Sequence, residues 1–307
     1  SGRLPREYFY REEARGTAPL PEGGKRWTRG AARGGLCAKE PLDVTAEPCT
    51  DFPRIAPIGL DGVIVQFGPA LSEVANRAAL AFCAAVERDP PEGVEEVSTS
   101  LVSTYLRFDP LFLSLEALRA DLDARLTHED WYAAPLPEGR RLLRIPTVYG
   151  GDFGPQLGEA AEAAGLSAEA AQRELSQAQV RVNAIGFAPG QPYLGTLPEA
   201  WDIPRQAGLT PKVPEGALVV AIRQFVLFSV SAPTGWRQVG RTAAPLFRPE
   251  SETPFLLRPG DEVIFDSVPA EAWDRLSDDP KGGVTVEHRF NESQSFRATG
   301  WGMWRDL

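Results

Sequence analysis

The chain has 307 residues, 43% of them apolar and 24% charged, and carries a net charge of -10. This length is enough for two domains and a sizeable core. The acidity argues against nucleic-acid binding as the main role, and no apolar run approaches the roughly 20 residues that span a bilayer. With 29 Gly and 28 Pro, turn-rich β structure is favoured over a helical bundle. Cys37, Cys49 and Cys83 are the only cysteines, and His128 and His288 the only histidines. That set is too thin and scattered for a Cys/His zinc site, so no metal is expected. Cys37 and Cys49 are either two free thiols or, in an oxidising compartment, a pair.

Residues 1–56 have no sustained periodicity and are expected to form an extended arm. The first 39 residues hold nine Lys/Arg against four Glu, a basic arm ahead of an acidic body. Such an arm is either a solvated tail or one docked on another chain. The sole Met is Met303, so Ser1 is read as a processing site or an added scar, and the chain as a soluble protein of the cytoplasm or an organelle interior after N-terminal processing.

Structure is predicted to start at "DGVIVQFG", 61–68, a strand by its alternation. A helix follows over 72–89, capped by Ser72, with Val74, Ala78, Ala81, Phe82 and Ala85 on one face. "GVEEVSTSLV" and "TYLRFD" read as two strands. A second helix, capped by Ser114, runs over 114–126 with Leu115, Leu118, Leu122 and Leu126 on one side, and a strand follows at 140–150. The order β-α-β-β-α-β is that of a ferredoxin-like unit, placed at 57–139 with the last strand opening the next domain. Residues 154–178 predict two short helices, the second capped by Ser167. From Val180 to about Val268, short apolar runs between Pro and Gly indicate a β-barrel or sandwich, so the second domain is placed at 140–276. Residues 277–307 form a second tail, whose Trp301, Met303 and Trp304 are expected to be buried against something. Both tails are expected to dock on other chains.

Several short motifs fail on context. "GDFGP" lacks the other kinase elements, "GWG" is no dinucleotide fingerprint, and there is no nucleophile elbow. His128 is read as a surface or C-cap residue. The stretch "GFAPGQPYLGTLP", 186–198, stands out instead. Pro189 and Pro192 fix φ, Gly186, Gly190 and Gly195 let backbone approach a ligand, and Phe187 and Tyr193 add aromatic surface. Arg241-Thr242 offers a planar cation suited to a carboxylate or carbamate oxygen, and Gln224 an amide that reads an amide edge. Equally, Tyr193 is a core residue, the glycines turn residues and Arg241 the partner of a carboxylate such as Asp261.

"IPTVYGGDFGPQL", "VNAIGFAPGQPYLGTLP", "IPR", "VPEGAL", "SAPTGWRQVGRT", "LF" and "LLRPGDEVIF" occur in that order between 145 and 265. Together they resemble the KipI-like family, which takes in allophanate hydrolase subunit 1 and the B subunit of 5-oxoprolinase (carboxyltransferase domain, subdomains A and B). The resemblance covers about 58–276. It implies an α+β fold, a small α+β domain followed by a cyclophilin-like β-barrel, and a KipA-like second subunit. It also implies amide, urea or lactam chemistry linked to ATP or biotin, with neither bound by this chain alone, and places the 186–198 loop at a pocket on the barrel mouth. On that reading Arg241 and Gln224 are the catalytic candidates, and Gly186, Phe187, Pro189, Gly190, Tyr193 and Thr242 bind substrate.

Departures from the family pattern fall on polar positions. Leu175 and Val180 stand where a His and a Tyr are usual, Gln191 replaces the Phe of Pro-Gly-Phe, Arg223-Gln224-Phe225 replaces Gly-Gln-Thr, Thr234 replaces a Gly, and Ser98–Val102 lacks a Tyr and an Arg. Two functions are therefore carried forward. One is an enzyme subunit with an altered site. The other is a non-catalytic accessory subunit of a larger complex, a pseudoenzyme that reuses the fold.

Overall fold

The computed structural model describes residues 51–289. Ser1, Cys37, Cys49, Trp301, Met303 and Trp304 lie outside them, as do most of the expected arm and part of the expected tail.

The first body is a four-stranded sheet under two helices. In chain order it comprises β1 (Arg54–Ile58), β2 (Gly62–Gln66), α1 (Glu73–Arg88), β3 (Val94–Ser100), β4 (Ser103–Phe108) and α2 (Leu115–His128). The strands are antiparallel in the order β1-β2-β4-β3. Ser72 caps α1, its Oγ accepting from the Ala75 N–H at 3.2 Å, and Ser114 caps α2 through the Ala117 N–H at 3.2 Å. α1 buries Ala75, Ala78, Ala79, Phe82, Cys83 and Val86. That stripe is turned from the expected one, leaving Val74 exposed. Asn76 accounts for the turn: it is 1% exposed, and its Nδ2 donates to the Leu101 carbonyl at 2.6 Å. In α2 only Leu118 and Leu122 are buried, while Leu126 is half-buried and Leu115 exposed. Phe67, Phe82, Trp131 and Tyr132 close the core, with ring centroids 5.0 to 6.0 Å apart. Each such pair adds about 0.5–1.5 kcal/mol beyond its buried area.

The expected β-α-β-β-α-β unit is not completed within this sheet. β1, which straddles the end of the stretch expected as arm at residue 56, takes the edge beside β2, because a hairpin closed at Gly59 (φ +66) forms at little loop-closure cost. The strand predicted at 140–150 joins the second sheet as β5 (Arg140–Arg144) and β6 (Val148–Tyr149). Its adjacent Leu142 and Leu143 are both buried, which fits a strand covered on two faces better than an edge.

The second body continues with α3 (Leu157–Ala163), α4 (Ala168–Gln177), β7 (Gln179–Ile185), β8 (Pro192–Gly195), β9 (Thr210–Val213), β10 (Ala217–Ala221), β11 (Gln224–Leu227), β12 (Ala232–Thr234), β13 (Arg237–Arg241), β14 (Glu262–Ile264), α5 (Trp273–Asp278) and β15 (Thr285–Arg289). Nine strands run in the order β15-β5-β14-β7-β8-β11-β10-β13-β6. The sheet curls back on itself. Segment 140–149 lies beside β14 through its first half, where β5 pairs in parallel, and beside β13 through its second, where Gly240 faces Tyr149. Leu143, Ile145, Val182, Leu194, Leu218, Val220, Phe225 and Val239 fill the space within. The opposite face of β10 (Ala217, Val219, Ala221) packs with Phe228 and Trp236 in a second cluster, beside the β9–β12 pair. β10 is thus buried on both faces, as its unbroken "ALVVA" allows. α3 and α4 lie on the main core, tied by the buried Trp201, whose Nε1 donates to Glu174 at 2.9 Å. β15 falls within the expected tail and pairs antiparallel with β5.

Candidate functional site

Strand register places each predicted site residue. β7 and β8 are joined by a tight connection at 186–191, where the Gly186 N–H donates to the Gln191 carbonyl at 3.0 Å and the Gln191 N–H to the Ala188 carbonyl at 3.1 Å. Phe187 sits at its tip with φ +70 and is 73% exposed. Pro189 is exposed beside it. Gly190, at φ +72, lies so close to the 246–247 segment that a Cβ there would fall 2.8 Å from the Leu246 carbonyl oxygen. Tyr193 is half-buried against the second cluster of the curled sheet, which favours the core residue over the ligand contact.

Arg241 and Thr242 leave β13 at the same end of the sheet as this loop. Arg241 is not paired with Asp261. Its Nε donates to the Glu215 carbonyl at 3.0 Å, and its guanidinium lies 4.8 Å from the Trp273 ring centroid. Asp261 belongs instead to Arg141 and Arg258. Thr242 is buried, and its Oγ1 accepts from the Ala244 N–H at 3.1 Å, as a turn-forming threonine does. Gln224 lies at the opposite end. Along β10 it faces Ala221, whereas Arg241 faces Ala217, so the two are roughly 15 Å apart by strand geometry. The structure therefore does not gather Arg241 and Gln224 around one ligand.

Gln224 is beside a different feature. At the foot of β7 and β8 a cleft of about 210 Å³ opens against the start of α1. Gly195 faces both Gln224 and Arg181 across the sheet. A Cβ on Gly195 would stand 3.0 Å from Asn183 Nδ2 and 3.4 Å from Gln224 Cγ. Asn183 is 4% exposed, and its Nδ2 has no hydrogen-bond partner among the described residues. Arg181 Nη1 donates to Asn76 Oδ1 at 3.3 Å and approaches Glu73 Oε1 at 3.4 Å. Glu262, opposite Arg181 on β14, also lines it, as do Ser72, Gln179 and Thr196. The cleft thus holds an unfilled amide donor, a guanidinium paired through Nη1 but with its Nε unpartnered among the described residues, and two carboxylates. Such a set can receive a small group that both accepts and donates hydrogen bonds.

The two bodies meet here. The Leu101 N–H, in the β3–β4 turn, donates to the Asn183 carbonyl at 2.7 Å. Leu101 sits in that turn with φ +56. Sequence reasoning missed Arg181 and Asn183. Their signal was present in "VRVNAI", where two polar residues alternate within an otherwise apolar strand. Asn76, Glu73 and Glu262 had no signal, because only the fold brings α1 and β14 to β7. Leu175 and Val180 lie in the core at 0% and 2% exposure. His128 and His288 are exposed on α2 and β15. Among the described residues no group of three or more His, Cys, Asp or Glu is placed to hold a metal ion, and no helix is long and apolar enough to cross a membrane.

A profile of the carboxyltransferase domain, subdomains C and D, matches residues 53–257. The letters expected from the sequence motifs, A and B, are thereby replaced by C and D for the same domain. The chain is 32% identical over 222 residues to the B subunit of 5-oxoprolinase from Bacillus subtilis (strain 168), covering 69% of this chain and 91% of that protein. Among solved structures, TTHA0988 is 35% identical with a TM-score of 0.57, over 68% of this chain and 40% of that one. The Kluyveromyces lactis urea amidolyase superimposes with a TM-score of 0.59 over 80% of this chain and 17% of that one. At 17% identity this likeness is one of fold.

Proposed function

The chain belongs to the family of the carboxyltransferase domain, subdomains C and D, and from that premise we propose that it is the B-type subunit of an enzyme acting on a small amide, lactam or urea. The observation that carries this reading is the 32% identity over nearly the whole length of a 5-oxoprolinase B subunit. On this reading a KipA-like second subunit completes the enzyme, and ATP or carboxybiotin is handled through that partner. This chain contributes positioning groups rather than a nucleophile. The small sheet is read as a ferredoxin-like unit whose fourth strand has been replaced, and the curled sheet as a cyclophilin-like barrel.

A second reading, a non-catalytic accessory subunit, is favoured by one feature. The positions usually held by His and Tyr are occupied by the buried Leu175 and Val180, which supply no titratable group. One experiment separates the two. The protein is purified with its co-purifying chains and assayed for ATP hydrolysis with and without 5-oxoproline, urea and simple lactams. Substrate-dependent ATP use supports the enzyme. Its absence across that panel, with the complex intact, leaves the accessory reading.

A further inference from the structure

We propose that the cleft at the foot of β7 and β8 is a binding site for an uncharged carboxamide or ureido group, recognised by Asn183, with any carboxylate of the ligand kept at the mouth. The proposal rests on the amide-directed reading above and adds the site and its charge selectivity.

Three observations carry it. The first is the orphaned donor. Asn183 is 4% exposed and its Nδ2 is unpartnered among the described residues, and a buried N–H without an acceptor is costly unless something fills it. The second is the space in front of it. Residue 195 is a glycine, and a Cβ there would stand 3.0 Å from Nδ2 and cover it. The missing side chain keeps the donor open to a cleft of about 210 Å³, small enough to suit an amide headgroup rather than a drug-sized molecule.

The third is the charge of the lining. Arg181 is the cation, but its Nη1 lies 3.4 Å from Glu73 Oε1, and Glu262 faces it across the strands. Two carboxylates against one guanidinium leave the cleft net negative. A carboxylate entering it would meet like charge, whereas a neutral amide would not. The amide carbonyl accepts from Asn183 Nδ2, and the amide N–H groups face the carboxylates of Glu73 and Glu262. Both ends of the group are then satisfied, as burial of a polar group requires.

The test uses the full chain labelled with 15N-asparagine, in which Asn183→Asp identifies the Asn183 side-chain NH2 resonances by their loss. Acetamide is titrated in, with sodium acetate at matched ionic strength in parallel. The expected result is a saturable shift of the Asn183 pair with acetamide and a response at least tenfold weaker to acetate. Gly195→Ala, which covers Nδ2 while keeping the asparagine, should abolish the acetamide response while the backbone spectrum remains that of the folded protein. No shift with acetamide overturns the proposal. So does an equal shift with acetate, or a response that survives Gly195→Ala. The functional reading fails separately. Substrate-dependent turnover that is unchanged in Asn183→Asp and Gly195→Ala would remove this site and leave the enzyme. A selective acetamide shift without turnover of any amide would keep the site and remove the enzyme.

Discussion

Cys83 shows how a single side chain is set by its place. It lies on the buried face of α1, 5% exposed, beside a cleft lined by Leu80, Glu87, Val97 and Arg258. Burial first, and the Glu87 carboxylate second, push its thiol up from an ordinary 9.0 to about 12. The folded state therefore keeps the thiol neutral while the unfolded chain ionises it. Its contribution to stability is complete below about pH 9 and is lost progressively as pH climbs towards 12, at no more than about 1.4 kcal/mol per pH unit. Urea midpoints at pH 8 and pH 10 should accordingly fall further for the native protein than for Cys83→Ala. Equal falls would show that the thiol titrates alike in both states. At this same scale the sequence was an uneven guide to the candidate site. Gln224 was singled out and stands beside Gly195 rather than in the cleft lining, whereas the Asn183 amide became visible only when Gly195 was found to leave it uncovered. Arg241 was chosen for its charge and is held by the Glu215 carbonyl and Trp273, partners that no local pattern announces.

Elements divide by how far along the chain their partners lie. The three serine caps, Ser72, Ser114 and Ser167, were legible because a cap is a contact three residues long. The helices they start were legible with them. β1 and β15 were not, and both fell in stretches read as tails. β15 has the burial pattern of a strand exposed on nearly all sides and, among the described residues, pairs only with β5, more than 130 residues earlier, so its own sequence carries little periodic signal. β5 was legible as a strand, but its sheet was decided by Leu142 and Leu143 finding cover on both faces. The same contrast orders local stability. β10 is buried on both faces and bonded on both sides, whereas β15 is an exposed edge. Amide exchange should be slowest in Ala217–Ala221 and faster by several orders of magnitude in Thr285–Arg289. Comparable protection of the two would mean that β15 is fastened by more than its ladder.

For the described body as a whole, the question is whether its two larger sheets unfold together. Their join is concentrated on Arg181 and Asn183 of β7. Leu80 of α1 packs over the turn at Gly260. The Asn183 carbonyl accepts from the Leu101 N–H at 2.7 Å, and the Leu101 carbonyl accepts from Asn76 Nδ2 at 2.6 Å. Asn76 also holds Arg181 at 3.3 Å, so one buried asparagine ties helix, turn and strand. Opening the join would strand several of these groups beside apolar surface, each at about 1–3 kcal/mol. That penalty opposes separate melting. Calorimetry should therefore show one unfolding transition. Asn76→Ala, which removes two of the ties at once, should lower its midpoint by several degrees and weaken protection of the Leu101 amide. Two resolved transitions in the native protein would mean that the sheets are held together less firmly than either is held within itself. The cleft between them would then be shaped by docking rather than by folding.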